Sequence, residues 1–186
     1  MRGSCSKLNN RYLETEAGEP FIRIGYAEQQ FILAEAVLRK WITGEGAEAY
    51  YRSGIRAAME FTAANTPVKY RHGVKIDDAY IASYLEGPQV KFGASAAENL
   101  NRIYKQKYML YFLQHEWDAF FECRRTGVPE LPVNPSTNMN TDPSKMPVRW
   151  MYPQTEYDRN NANVMEAIAR QYDGLDNENC IMWLLK

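Results

Sequence analysis

The sequence predicts an all-α fold, a helical hairpin followed by further helices and long irregular loops. Three observations carry this expectation. Apolar residues recur at helical spacing over several long stretches, no stretch alternates with the period of two that a strand needs, and six of the nine prolines fall between positions 129 and 153. With 186 residues, 45% hydrophobic and 24% charged, the chain can bury a substantial core. We read 1–186 as a single region: an irregular lead-in over 1–25, a helical core over 26–127, a Pro-rich loop over 128–160, and a terminal helix and tail over 161–186.

The lead-in is polar and carries Gly18 and Pro20. From 26 to 42, Tyr26, Leu33, Ala34, Val37, Leu38 and Trp41 fall at helical spacing, and Phe31, Ile32 and Ala36 widen the stripe, so this helix is expected to be buried on two sides. Gly44 and Gly46 then allow a turn. Ala47, Tyr50, Tyr51, Gly54, Ile55, Ala58 and Phe61 mark a second helix, and the small residues Ala34, Gly54, Ala57 and Ala58 let the pair approach closely. The pair spans about one tetratricopeptide period of 34 residues, and no second copy follows. Asp77 or Asp78 can cap a short helix that Gly87-Pro88 stops. Ser95 and Glu98 form a capping box ahead of Leu100, Ile103, Tyr104, Tyr108, Tyr111 and Phe112, with Trp117 expected as a core ring further on. Gly127 before Pro129 is a firm stop. The Pro-rich stretch must cross the surface as extended chain, with Trp150 and Tyr152 as its expected anchors. Asn163 with Glu166 can open the last helix, Gly174 ends it, and the apolar end at 181–185 needs somewhere to dock.

Composition excludes several classes of function. Lys and Arg number 22 against 23 Asp and Glu, a formal charge of −1, so no basic field is available for nucleic acid. The longest apolar runs hold six residues, far short of the roughly 20 of a membrane helix. The first residues carry no apolar export segment, and Cys5 is not read as a lipidation cysteine. Cys5, Cys123 and Cys180 are too scattered for a disulfide framework or zinc ribbon, and Cys123 reads as an inert thiol. Neither His72 nor His115 has the glutamate three residues before it that a carboxylate-bridged metal site uses, so no metal and no cofactor are expected. Glu116 with Asp118, and Glu156 with Asp158, sit two apart and point away from each other on a helix, which is wrong for paired acid and base. No enzyme motif remains. The rings are the functional signal: a pyranose stacks its C–H face on an exposed Trp or Tyr while neighbouring polar groups bind its hydroxyls. Tyr70, Arg71, Trp150 and Tyr152 lie in loops and fit that chemistry, although pinning its loop to the core is the commoner role for any one of them.

Several blocks together resemble the C-terminal portion of the SusD/RagB family of outer-membrane nutrient-binding lipoproteins. They are Gly25-Tyr26-Ala27-Glu28 with Ala34-Glu35-Ala36; Ala49-Tyr50-Tyr51 with Gly54-Ile55-Arg56-Ala57-Ala58-Met59; Ile103-Tyr104-Lys105-Gln106-Lys107-Tyr108; Glu116-Trp117 through Arg124-Arg125-Thr126-Gly127-Val128-Pro129; Pro147-Val148-Arg149 with Tyr152-Pro153-Gln154-Thr155-Glu156-Tyr157; and Gly174-Leu175-Asp176. The resemblance implies a non-catalytic glycan-binding component that works as a lid on a SusC-like TonB-dependent transporter, capturing oligosaccharide or another nutrient at the cell-surface face of the outer membrane. It implies that a signal peptide and lipid anchor belong to an N-terminal part of the same protein that this chain lacks. Tyr26, Glu28, Glu35, Arg124, Arg125, Gly127, Pro153 and Glu156 are the matched motif residues, expected to hold helices and loops together. The alternative reading is a helical-repeat module that binds a peptide between its first two helices.

Overall fold

The computed structural model describes residues 7–16 and 18–185, and Cys5 lies outside them. Among these residues the fold is all-helical. In order, α1 is Arg11–Glu14, α2 Tyr26–Leu38, α3 Ala47–Asn65, α4 Asp78–Leu85, α5 Ala96–Leu110, α6 Asp118–Thr126 and α7 Gln154–Tyr172, with short 3₁₀ turns at Val68–Tyr70 and Trp183–Leu185. Where the sequence reads as one region, the chain forms two compact units, Met1–Pro129 and Glu130–Lys186.

In the first unit α2 and α3 form the hairpin. Phe31 on α2 lies over Gly54 on α3, where a Cβ would sit only 2.7 Å from its ring, and its ring centre is 6.2 Å from that of Tyr51. Glycine is the condition of this approach. Phe31, Ala34, Tyr51, Ile55, Ile81, Leu85, Val90, Ile103 and Tyr104 form the core, so α4 and α5 close over the hairpin. Contrary to expectation, α2 is buried on one face only. Ile32 and Tyr26 stay 49% and 61% exposed, while two polar residues of the same helix, Gln30 and Glu35, are buried.

The local stops fall where short-range chemistry places them. Asp77 Oδ1 accepts the Tyr80 amide at 3.0 Å and starts α4. Ser95 Oγ accepts the Glu98 amide at 3.3 Å at the start of α5, but Glu98 turns to Arg102. The cap is helped from elsewhere, because Asn99 folds back on Gly93 with both amide atoms, at 2.9 and 2.8 Å. Between α5 and α6 the helix breaks, with Leu113 at φ 56°. Beyond the break, His115 Nδ1 meets Asp118 Oδ2 at 2.6 Å. Gly127, at φ 71°, ends α6 in the left-handed conformation. Trp117 is 51% exposed and is not the core ring expected, because it precedes the first turn of a helix that has no buried residue.

In the second unit the Pro-rich segment is tied to the acidic turn beyond α7. The amides of Val148 and Arg149 both reach the Glu178 carbonyl, at 2.9 and 3.3 Å, and the Asp142 amide reaches Asn179 Oδ1 at 3.0 Å. Asn138 Nδ2 bridges the carbonyls of Pro143 and Lys145 at 2.9 and 2.8 Å. The last helix starts at Gln154 behind Pro153, ahead of the expected Asn163, and is kinked at Asn160 (φ −140°, ψ 33°). Val164 and Ile168 are its buried residues, and Asp173 (φ 54°) and Gly174 (φ 84°) end it. Ile181, Trp183 and Leu184 in the apolar end remain 48%, 75% and 62% exposed.

Candidate functional site

The four ring and arginine candidates fall in different units. Tyr70 and Arg71 line a cavity of about 320 Å³ with Asn9, Arg11, His72 and Val74. Tyr70 is buried, 6% exposed, and its hydroxyl donates to Glu14 Oε2 at 3.1 Å. A ring covered to this degree offers no face to a sugar, which corrects the expectation for Tyr70. Arg71 caps the end of α3, with Nε on the Thr66 carbonyl at 2.8 Å and Nη2 on that of Ala63 at 3.3 Å. Its donors serve the orphan carbonyls of a helix terminus, so it too acts as a fastening. Arg11, on the same wall, is paired with Glu19 and with Thr66 Oγ1 at 2.6 Å.

Trp150 and Tyr152 stand on a clamped loop. The sequence expects these rings as the anchors of the loop, and the structure adds a further one, the residue between Val148 and Trp150. Arg149 is 7% exposed, pairs with Asp176 Oδ1 through Nη1, and lays its guanidinium 4.1 Å from the ring centre of Tyr172 and 5.7 Å from that of Tyr152. Asp176 Oδ2 in turn accepts the Tyr152 amide at 2.9 Å and the Tyr157 hydroxyl at 2.6 Å. Burial alone would push the Asp176 carboxyl up, and the hydrogen bonds from Tyr157, Arg149 and the Tyr152 amide outweigh it and hold it below the usual carboxylate range. The loop on either side of Trp150 is therefore fixed, while Trp150 itself is 49% exposed. A fixed backbone carrying a half-open indole is the arrangement a sugar platform needs, since little ordering is left to occur on binding.

The matched motif residues hold helices together in two places. Glu28 Oε1 accepts the Tyr111 hydroxyl at 2.9 Å, tying α2 to the end of α5. Glu35 is the larger junction: Arg125 reaches it from α6, Arg39 from the cap of α2 at 2.8 Å, and the Tyr104 hydroxyl from α5 at 2.9 Å. Burial would raise the Glu35 carboxyl, but Arg125, Arg39 and Tyr104 lower it to about 2. Arg124 lies over Phe120 and Phe121, 5.5 and 5.2 Å from their ring centres. Pro153 caps α7, Glu156 accepts from Asn160 Nδ2 at 3.5 Å, and Tyr26 is exposed at the start of α2.

Among the described residues, Cys123 and the carboxylates of the two pairs have the following surroundings. Burial pushes the Cys123 thiol up, with the charge of Glu122 adding to it. Asp118 is engaged by His115, and Asp158 accepts from Gln154 Nε2 at 3.0 Å. Among the described residues no group of three or more His, Cys, Asp or Glu is placed to hold a metal.

Residues 2–153 match the family described as starch-binding associating with outer membrane, SusD-like. The chain belongs to the SusD-like family. Among solved structures it is similar to a SusD homologue from Bacteroides fragilis, at 47% identity and a TM-score of 0.86, over 96% of this chain and 38% of that one. A second SusD homologue from the same organism matches at 41% identity and a TM-score of 0.82, again over 96% and 38%. A chitin-binding SusD homologue from Flavobacterium johnsoniae shares the fold at 22% identity and a TM-score of 0.63, over 86% of this chain and 36% of that one. No protein of curated function matches. The chain thus spans less than two fifths of the length of the SusD-like structures it matches. The Arg149–Asp176–Tyr157 clamp, which carries the candidate platform, lies within blocks that the sequence resemblance quotes without a role; their signal was an arginine beside a loop tryptophan.

Proposed function

We propose that the chain serves, as the C-terminal portion of a SusD-like protein, in non-catalytic glycan capture at the outer-membrane surface, in partnership with a SusC-like TonB-dependent transporter. The observation that carries the reading is the match of residues 2–153 to a starch-binding, outer-membrane-associating family. The half-exposed Trp150 on its clamped loop supports it, with Tyr152 beside it as a second aromatic. A lid of this kind works by binding its ligand differently in open and closed states, and needs no reacting group.

Affinity electrophoresis in gels cast with soluble starch, together with an array of plant and host polysaccharides, tests the reading. Retardation or array binding without release of shorter sugars is the expected result. Binding to no glycan, or cleavage of one, overturns it. Co-purification with a SusC-like transporter from outer membranes tests the partnership.

A further inference from the structure

We propose that Trp41, just beyond α2 in the first unit, is a second sugar-stacking contact, with Arg39 stacked on one face of its indole and holding it in place. The inference rests on the glycan-binding reading. Its starting point is an unusual helix end. The Arg39 amide bonds the Glu35 carbonyl at 2.9 Å, the Lys40 amide that of Val37 at 3.0 Å, and the Trp41 amide that of Ala36 at 2.9 Å, with Lys40 at φ 60°. This is a Schellman closure, in which the residue at the Trp41 position ordinarily folds an apolar side chain back onto the helix. Trp41 is instead 67% exposed on a backbone that those hydrogen bonds fix.

What stands beside the indole is polar and equally fixed. The Arg39 guanidinium carbon lies 5.2 Å from the Trp41 ring centre. Its Nε is on Glu35 Oε1 at 2.8 Å and its Nη2 is on the Tyr104 hydroxyl at 2.7 Å. Glu35 is in turn locked by Arg125, so Arg39 is oriented by a buried carboxylate and not by solvent. Among the described residues Nη1 of Arg39 has no acceptor, and the side chain is 36% exposed. With the guanidinium over one face of the indole, its other face is a held, exposed aromatic surface complementary to the C–H face of a pyranose.

The indole N–H resonances of the four tryptophans, assigned with Trp→Phe variants of the full 186-residue chain, are followed by NMR during titration with a glycan that the array identifies. The Trp41 resonance should move with the binding curve, Trp41→Ala should weaken affinity about tenfold, and Trp41→Phe should restore most of it. If the glycan binds and the Trp150 resonance moves while that of Trp41 stays still, the Trp41 site is overturned and the glycan reading stands. If no glycan on the array binds the unaltered chain, both fall. Unchanged affinity in Trp41→Ala overturns the site even if its resonance shifts.

Discussion

Arg125 closes on Glu35 as a two-nitrogen fork, Nη1 to Oε1 at 2.8 Å and Nη2 to Oε2 at 2.9 Å, joining residues 90 positions apart. Bidentate pairing of this kind fixes direction as well as distance. Glu35 sits on the buried face of α2, so the fork draws the end of α6 onto the hairpin, and the Tyr104 hydroxyl brings α5 to the same carboxylate. Removing one partner leaves the others facing an unbalanced charge. Glu35→Ala should cost about 3–5 kcal/mol in urea unfolding, and Arg125→Ala less, because its side chain is 41% exposed and Arg39 and Tyr104 still hold the carboxylate. A loss under about 1 kcal/mol for either would mean that the fork does not hold α6.

The same junction makes stability depend on acid. The Glu35 carboxyl is lowered from 4.5 to about 2 by its partners in the folded chain, so the unfolded chain takes up its proton first as pH falls. Its stabilisation is fully present above about pH 5 and is lost progressively as pH drops through 4.5 towards 2. The contribution is up to about 3 kcal/mol. Chemical denaturation between pH 7 and pH 3 should show a steeper loss for the unaltered chain than for Glu35→Gln, which cannot titrate there. Parallel curves would assign acid sensitivity to other carboxylates.

Gly54 is the position least tolerant of a side chain. A Cβ there would lie 2.7 Å from Phe31 Cε1 and 2.9 Å from Cδ1, and that ring is 1% exposed in the core with nowhere to go. Gly54→Ala should destabilise by about 1–3 kcal/mol despite the better helix propensity of alanine. Phe31→Leu in the same chain should recover part of the loss, a non-additivity that thermal melts of the single and double variants would expose.

Local chemistry was readable from the sequence, and long-range pairing was not. Asp77 and Ser95 start helices and Gly127 ends one through groups within three or four residues, so their spacing alone reveals them. The burial of Lys107, at 3% exposure, depends on Glu122 at 3.1 Å in another helix, and that of Arg149 on Asp176 across a loop. No periodicity encodes such partners, because a charged residue at a core position looks like a surface residue until its counter-ion is found. The same blindness misplaced Tyr70, which reads as a loop ring and whose hydroxyl reaches Glu14 far outside its own turn, and left Trp41 inside an apolar stripe when its backbone turns it outward.

Trp117 and Tyr51 separate surface from core. Trp117 is 51% exposed, whereas Tyr51 is 1% exposed and its hydroxyl donates to the Val90 carbonyl at 2.8 Å. Tyr51→Ala removes a packed ring and strands a carbonyl, and should cost about 3–5 kcal/mol. Trp117→Ala should cost less than half of that in the same urea titration. Equal losses would place Trp117 energetically in the core despite its exposure.

Trp150 and its neighbour should respond in opposite ways. Arg149 is buried against Asp176, Tyr152 and Tyr172, so Arg149→Ala leaves a carboxylate without its cation and should loosen the second unit by about 3–5 kcal/mol. Trp150 contributes a half-exposed ring, so Trp150→Ala should leave the melting temperature within a few degrees and weaken glycan retardation about tenfold. Binding that survives Trp150→Ala, or a collapse in stability equal to that of Arg149→Ala, would make Trp150 a pin for its loop and remove it from the sugar contact. Asp176→Asn resolves the remaining ambiguity. It keeps the shape of the clamp while weakening the charge that orients Arg149, so a loss of affinity larger than its loss of stability would show that the platform works through its orientation.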